Sequence, residues 1–201
     1  MIYLDYSANA PVSPRVLQCF ADAAVKYPGN PNAKHPAGLA AKAAIDEATD
    51  RIAATLGVHA DEIIYTSGAS ESNNTAIRGI LHASRHIGRH VITTPLEHPS
   101  VSGCLTAAME RGYEIDMLAV GRDGKIDPEE VRALLRPDTV LVTMTAVDSE
   151  LGTVQPVREV ARVLRGAAHC CLHVDATQAI GKLPFSFDEV DTASFAPHKF
   201  G

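Results

Sequence analysis

The chain has 201 residues, 46% hydrophobic and 21% charged, which suits one sizeable core and lies outside the composition of disordered chains. A formal net charge of −6 argues against the basic face that a nucleic-acid backbone requires. No apolar run approaches the roughly 20 residues of a membrane span. Met1-Ile2-Tyr3-Leu4-Asp5 has neither the basic start nor the apolar centre of a signal peptide. Four cysteines (Cys19, Cys104, Cys170, Cys171) are too few and too unevenly spaced for a disulfide scaffold. The expectation is a soluble cytoplasmic protein with neither nucleic acid nor membrane as partner.

In chain order, residues 13–27 and 37–57 are predicted as helices, the second alanine-rich with Leu39, Ala43, Ile45 and Ala48 spaced to face a core. Between them Tyr27-Pro28-Gly29-Asn30-Pro31-Asn32 is dense in turn formers and predicts a loop. A regular alternation follows. Strands are predicted at 62–66, 90–94, 113–119, 139–145, 169–174 and 190–195, with helices at 71–87, 100–111 and 156–165. A further helix opens at Asp127-Pro128-Glu129-Glu130, with Asp127 as N-cap and Pro128 in the first turn. The apolar, β-branched run Thr139–Thr145 suits a strand buried on both faces. No repeat, low-complexity tract or linker divides the chain, so a single α/β domain over residues 1–201 with a mostly parallel sheet is expected. Ligands of such sheets sit outside the carboxyl ends of the strands.

Four of the predicted strand ends carry polar groups. Thr66-Ser67-Gly68-Ala69-Ser70-Glu71 opens a helix, where free N–H groups favour an anion, although Ser70 can equally be an N-cap. His98, in Glu97-His98-Pro99-Ser100, precedes the next helix and offers a flat ring or a proton carrier; a lone histidine there can also be structural. Asp175 closes an apolar strand, where an acid is costly to bury without a cation or strong donor, and Gln178 lies three residues on. Its alternative role is to cap a short helix. Lys199, in Ser194-Phe195-Ala196-Pro197-His198-Lys199-Phe200-Gly201, sits among apolar residues that can turn a lysine into an amine nucleophile, or is an ordinary surface lysine. His169, Cys170, Cys171 and His173 make a poor metal site, because alternation sends adjacent strand residues to opposite faces.

These segments together resemble the class V aminotransferase family, most closely the NifS/IscS-type cysteine desulfurases, over essentially the whole chain. The resemblance rests on Tyr3-Leu4-Asp5-Tyr6-Ser7-Ala8 with Pro11-Val12, and on Gly29-Asn30-Pro31-Asn32 with His35 and Gly38. It continues through Thr66–Asn73, Glu97-His98, Glu150-Leu151-Gly152 and Gln155-Pro156. It ends on His173-Val174-Asp175-Ala176-Thr177-Gln178, Gly181-Lys182-Leu183-Pro184 and His198-Lys199. The resemblance implies the large domain of a fold type I enzyme dependent on pyridoxal 5′-phosphate. Lys199 would be its Schiff-base lysine and carrier of the substrate α-proton, and Asp175 the partner of the pyridine nitrogen. Gln178 would bond the phenolic oxygen and His98 would stack on the ring and assist proton transfer. Ala69 (through its N–H), Ser70 and His198 would hold the phosphate. No metal is implied.

The family usually has two asparagines where Asp148 and Ser149 stand, the second contacting cofactor and substrate; Ser149 keeps a shorter hydroxyl there. Ala196 replaces a serine that serves the phosphate, a loss of roughly 1.5–3 kcal/mol if nothing replaces it. Pro197 replaces a small residue and Ser70 a threonine. Full-length members continue well beyond the position of Lys199, with another sheet strand, a small domain, a substrate-binding arginine and a persulfide-forming cysteine that none of the four cysteines here matches. The resemblance therefore implies sulfur mobilisation from L-cysteine, giving L-alanine, for iron–sulfur cluster or thio-cofactor assembly, with a C-terminal half still required. The partners implied are L-cysteine or a similar amino acid, a second copy or a complementary C-terminal chain, and a sulfur-acceptor protein. Two alternatives stay open: a catalytically inactive cofactor-binding or partner-binding remnant, and another class V activity such as selenocysteine lyase.

Overall fold

A computed structural model describes residues 2–167 and 169–201, which fall into two compact units: residues up to Tyr65 with Phe200–Gly201, and Thr66–Lys199. The first unit carries α1 (Pro14–Lys26), α2 (Pro36–Leu56) and a 3-10 turn (Ala60–Glu62). Both helices begin at a proline, whose fixed φ suits the first turn and whose missing N–H costs nothing there. His35 caps α2 by accepting the Gly38 N–H at 3.1 Å, and Gly57, in the left-handed region at φ 72°, ends it. The predicted loop at 27–32 is a loop. It packs so tightly on the start of α2 that a Cβ on Gly29 would lie 2.4 Å from the Ala37 carbonyl oxygen.

The second unit is a five-stranded sheet in the order β2-β1-β3-β4-β5, parallel throughout. Its strands are β1 (His90–Thr93), β2 (Glu114–Met117), β3 (Thr139–Thr145), β4 (Cys171–Asp175) and β5 (Thr192–Ser194). Helix α3 (Ala69–Ala83) leads into β1, and α4 (Pro99–Met109), α5 (Pro128–Leu134) and α6 (Val157–Leu164) connect the successive strands from β1 to β4. Every residue of β3 is buried, as its unbroken apolar and β-branched run predicts. Alternation divides the side chains between two cores. Ile92, Val142, Met144, Leu172 and Val174 pack with Val131 of α5 and Val160 of α6. Val91 and Leu141 pack with Ile77 and Leu81 of α3 and Val101 and Leu105 of α4. Asp127 caps α5, accepting the Glu129 N–H at 2.9 Å, as expected.

One predicted element is absent. Residues 62–66 form no strand: the chain is extended at Ile63, and Ile64 and Tyr65 are exposed to 76% and 60%. A β-branched, aromatic composition favours a strand only where another strand supplies the ladder, and none pairs with this segment among the described residues. The remaining elements differ from expectation only at their ends.

The chain leaves β1 for β2 on one side and returns to β3, β4 and β5 on the other. The strand order thus reverses between β1 and β3, where open α/β sheets place their ligands. Gly88, just before β1, fixes the approach of these two strands: a Cβ there would lie 2.0 Å from the Asp138 carbonyl oxygen and 2.6 Å from its carbonyl carbon. Backbone on both sides leaves nothing to yield, so Gly88→Ala is expected to lower unfolding stability by about 1–3 kcal/mol in urea denaturation.

Candidate functional site

On the α3/α4 face of the sheet the apolar core gives way to polar residues toward the carboxyl ends of the strands. Thr143 pairs with His173 and Thr145 with Asp175 across β3 and β4, and His173 pairs with Thr192 of β5. Asp175, 5% exposed, accepts the Asn73 Nδ2–H at 2.7 Å through Oδ2 and the Thr177 N–H at 3.0 Å through Oδ1. Asn73 projects from α3 and is fully buried, above Ile77 and Leu81 on the helix's inward stripe. Its Oδ1 lies 3.0 Å from His173 Nε2, and its Nδ2 donates to Ser100 Oγ at 3.0 Å. Burial pushes the His173 imidazolium down to about 4, against a smaller opposing pull from Asp175, so this ring is neutral at physiological pH.

His98 is the N-cap of α4. Its Nδ1 accepts the Ser100 N–H at 3.1 Å and lies 2.8 Å from Ser100 Oγ. A nitrogen that accepts a backbone N–H carries no proton, so neutral His98 has its proton on Nε2. His98 is thus structural through Nδ1, and the residue is exposed. Its neighbour Glu97 crosses the switch point, with Oε1 accepting the Thr94 hydroxyl and the Thr145 N–H, both at 2.7 Å. Glu97 Oε2 is buried with no hydrogen-bond partner, as are the hydroxyls of Thr93, Thr143 and Thr177.

The start of α3 has the N–H groups to hold an anion. Its N-cap is Gly68, not Ser70, which stands at the second helical position. Gly68, at φ 156° and ψ 177°, occupies a region essentially reserved for glycine, and space above it is open. Glu71 turns back to accept the Ser67 N–H at 2.6 Å, and hydrogen bonds from Ser67 hold its carboxyl below the usual range. The hydroxyls of Thr66 and Ser72 bind each other at 2.7 Å. The N–H groups of Ala69 and Ser70 precede any intrahelical acceptor, and the helix dipole lies behind them.

Lys199 ends a 3-10 turn, Pro197–Lys199, and lies five residues past the end of β5, with its N–H on the Ala196 carbonyl at 3.2 Å. Lys182 Nζ donates to Gln178 Oε1 at 2.7 Å, while burial and the charge of Lys199 hold the Lys182 amine below its usual range. Gln178, Lys182 and Lys199 are thus neighbours, and Lys182 is a cation beside the proposed amine that the motif reading left without a role. His198 is exposed and Ala196 is 1% exposed. Asp148 Oδ1 accepts the N–H groups of Glu150 and Leu151 at 3.1 and 2.5 Å, which commits it to its own turn; Ser149 is exposed on that turn.

The fold therefore places His98, Asp175, Gln178 and Lys199 on segments leaving the carboxyl edge of the sheet, and Ala69 and Ser70 at the start of a helix packed on that edge. Sequence reasoning passed over Asn73, Ser100 and Glu97 as site members and treated His173 only as a weak metal ligand. Both His173 ring nitrogens are engaged, Nδ1 with Thr192 Oγ1 at 2.8 Å and Nε2 with Asn73. A signal for Asn73 existed: it is a polar residue four and eight positions before Ile77 and Leu81, on one helical stripe.

The chain thus has the parallel α/β architecture that places a ligand site at the carboxyl edge of its sheet. The class-V aminotransferase family profile matches residues 2–201, and the chain belongs to that family. It is 40% identical to the cysteine desulfurase IscS of Anaeromyxobacter sp. (strain K), the match covering 98% of this chain and 50% of that protein. A solved NifS-like protein superposes with a TM-score of 0.95 at 35% identity, covering 99% of this chain and 55% of the other. A structure of SspA in complex with cysteine superposes at 0.91 and 36% identity, covering 98% and 57%. The chain spans about half the length of the curated relatives it matches.

Burial raises the Glu97 carboxyl to about 7, helped slightly by Asp175 and opposed by the Thr94 and Thr145 hydrogen bonds. The unfolded chain releases this proton near 4.5, whereas the folded protein keeps it to about 7. Glu97 accordingly costs stability progressively as pH rises through that window, and the cost is constant above it. Glu97→Gln abolishes the slope. Urea denaturation is expected to show the variant gaining about 3 kcal/mol on wild type between pH 4.5 and 8.

Proposed function

We propose that this chain binds pyridoxal 5′-phosphate as part of a cysteine desulfurase, releasing sulfur from L-cysteine and leaving L-alanine. The observation that carries the cofactor reading is Asp175. Its carboxylate is buried, fixed by two N–H donors, and has no cation at ion-pair distance among the described residues. A buried charge without a counter-ion is costly, and a protonated pyridine nitrogen offers both the charge and the missing donor. The open first turn of α3 fits a phosphate in the same way, through the N–H groups of Ala69 and Ser70, the Ser70 hydroxyl and His198.

Pyridoxal phosphate, when bound, supplies an electron sink for bond cleavage next to the substrate α-carbon. The protein's residues do the rest. Asp175 keeps the pyridine nitrogen protonated, Gln178 bonds the phenolic oxygen, and His98 covers the ring face with its protonated Nε2 available. Lys199 is the amine that carries the cofactor and moves the substrate α-proton. Ser149 contributes its hydroxyl from the turn after β3. Ala196 has none, so its side chain leaves the phosphate one donor short.

The substrate reading is supported by the names of the relatives and by the neighbour in complex with cysteine. A sulfur-accepting thiol must be accessible and easily ionised. Cys104 is buried, burial pushes the Cys170 thiol up to about 12, and Cys171 is raised for the same reason; Cys19 is exposed on α1 but does not stand where the family resemblance puts that cysteine. We assign that thiol, and the arginine for the substrate carboxylate, to a polypeptide region or complementary chain outside residues 1–201. A dimer, a cytoplasmic setting, and delivery of sulfur to an acceptor protein for iron–sulfur cluster or thio-cofactor assembly belong to the same proposal.

Added to the purified protein, pyridoxal phosphate is expected to give an absorbance band near the visible edge that borohydride fixes on Lys199. Lys199→Ala is expected to abolish the fixation, and Asp175→Asn to weaken cofactor binding at least tenfold. No band, or a band indifferent to Lys199→Ala, overturns the cofactor reading. Sulfide release from L-cysteine is expected only when a C-terminal region of a desulfurase is supplied. Cofactor uptake without turnover under that condition points instead to a binding protein, and turnover of selenocysteine alone to a lyase.

A further inference from the structure

We propose that Asn73 is the positioning residue of this site, locking the Asp175 carboxylate and the His98 imidazole into one hydrogen-bonded unit whose donor directions are set by the acceptor-only Asp175 carboxylate. The inference deepens the cofactor reading above and rests on it for its functional consequence, though not for the network itself.

A fully buried carboxamide must have its hydrogen bonds satisfied inside the protein, and Asn73 has three partners on two other elements: His173 and Asp175 of β4 and Ser100 of α4. The chemistry of the partners leaves one arrangement. An ionised Asp175 only accepts, so the group facing it is the Asn73 NH2. Oδ1 then faces His173, whose Nε2 must carry a proton. A neutral His173 protonated there has a bare Nδ1, which the Thr192 hydroxyl satisfies at 2.8 Å. The second Asn73 N–H enters Ser100 Oγ, and the Ser100 hydroxyl is thereby directed to His98 Nδ1 at 2.8 Å. Every donor runs one way: Thr192 to His173, His173 to Asn73, then Asn73 to Asp175 on one branch and through Ser100 to His98 on the other.

No competing pairing keeps all of these groups satisfied. Turning the carboxamide over would aim its oxygen at a carboxylate and its NH2 at a protonated nitrogen, two repulsive contacts in a dry interior. Asn73 therefore does two things with one side chain. It helps aim the Asp175 carboxylate, and it helps hold His98 as the Nε2–H form.

A double-mutant cycle on affinity for pyridoxal phosphate, measured by absorbance titration, separates positioning from general destabilisation. Asn73→Leu is expected to weaken binding about tenfold in the wild-type background, the scale of one hydrogen bond to a charged group. In an Asp175→Asn background it is expected to cost less than threefold. Equal losses in both backgrounds overturn the coupling while leaving the cofactor reading intact. Nitrogen NMR of the free protein supplies a readout that needs no cofactor. His98 and His173 are both expected as single Nε2–H forms in wild type, and the His173 ring is expected to lose its single form in Asn73→Leu. A wild-type His173 protonated on Nδ1 overturns the network. If wild type takes up no pyridoxal phosphate, the cofactor reading fails and the nitrogen spectra still decide the network. Asn73→Ser, too short to reach His173 and Asp175, is measured in the same way should Asn73→Leu not fold.

Discussion

The structure turns on a carboxylate that is buried with no counter-ion among the described residues. Asp175 ends the strand next to the all-buried β3, and 5% of its surface meets solvent. Coulomb interactions are strong at such depth, and an unpaired charge is correspondingly expensive. The surrounding residues are arranged to bear it: one N–H from the turn at Thr177, one from Asn73, and a neutral rather than charged histidine behind them. Among the described residues no cation pairs with Asp175, and this incomplete compensation is what the protonated nitrogen of the proposed cofactor would complete.

The rest of the site follows from how a parallel sheet presents its ends. The α3/α4 face is apolar at Val91 and Leu141 and polar one pleat later, at Thr143, Thr145, His173 and Asp175. This layering lets the same two helices stabilise the sheet by packing and then serve chemistry from their first turns. In α3, Ile77 and Leu81 bury the helix while Asn73 and the open N-terminus face the site. In α4, Val101 and Leu105 do the packing while His98 and Ser100 sit at the start. Glu97 ties the two sides of the switch point together by reaching the backbone of Thr145, at the expense of a buried oxygen with no partner. A protonated carboxyl there is less costly than an ionised one.

Much of this was legible along the chain. The alternation of apolar runs and amphipathic stretches located the five strands and six helices to within a few residues, because burial on one face or two imposes its period on the sequence. The strand expected at 62–66 failed for the complementary reason: its composition favours a strand, but strand formation depends on a partner that local sequence does not name. Ser70 was legible as a helix-start residue but not as the second position rather than the cap. That distinction depends on Gly68 taking a backbone conformation closed to other residues. Asp175, Gln178, His98 and Lys199 were singled out by standing at predicted strand ends, and the fold does bring their segments to one edge.

The sequence by itself thus determined the α/β alternation, the parallel sheet with its functional edge, and the residue types placed along that edge. It determined family membership as well, through ordered motifs that run from Tyr3 to Lys199. Only the tertiary structure decided how those residues act on one another. Asn73 and Asp175 are 102 positions apart and His173 and Asn73 are 100, separations at which no periodicity carries information. The direction of each hydrogen bond emerges only when an acceptor-only carboxylate, a two-sided carboxamide and a buried imidazole are enclosed together. There each group's options are fixed by its neighbours, because water is not present to satisfy any alternative.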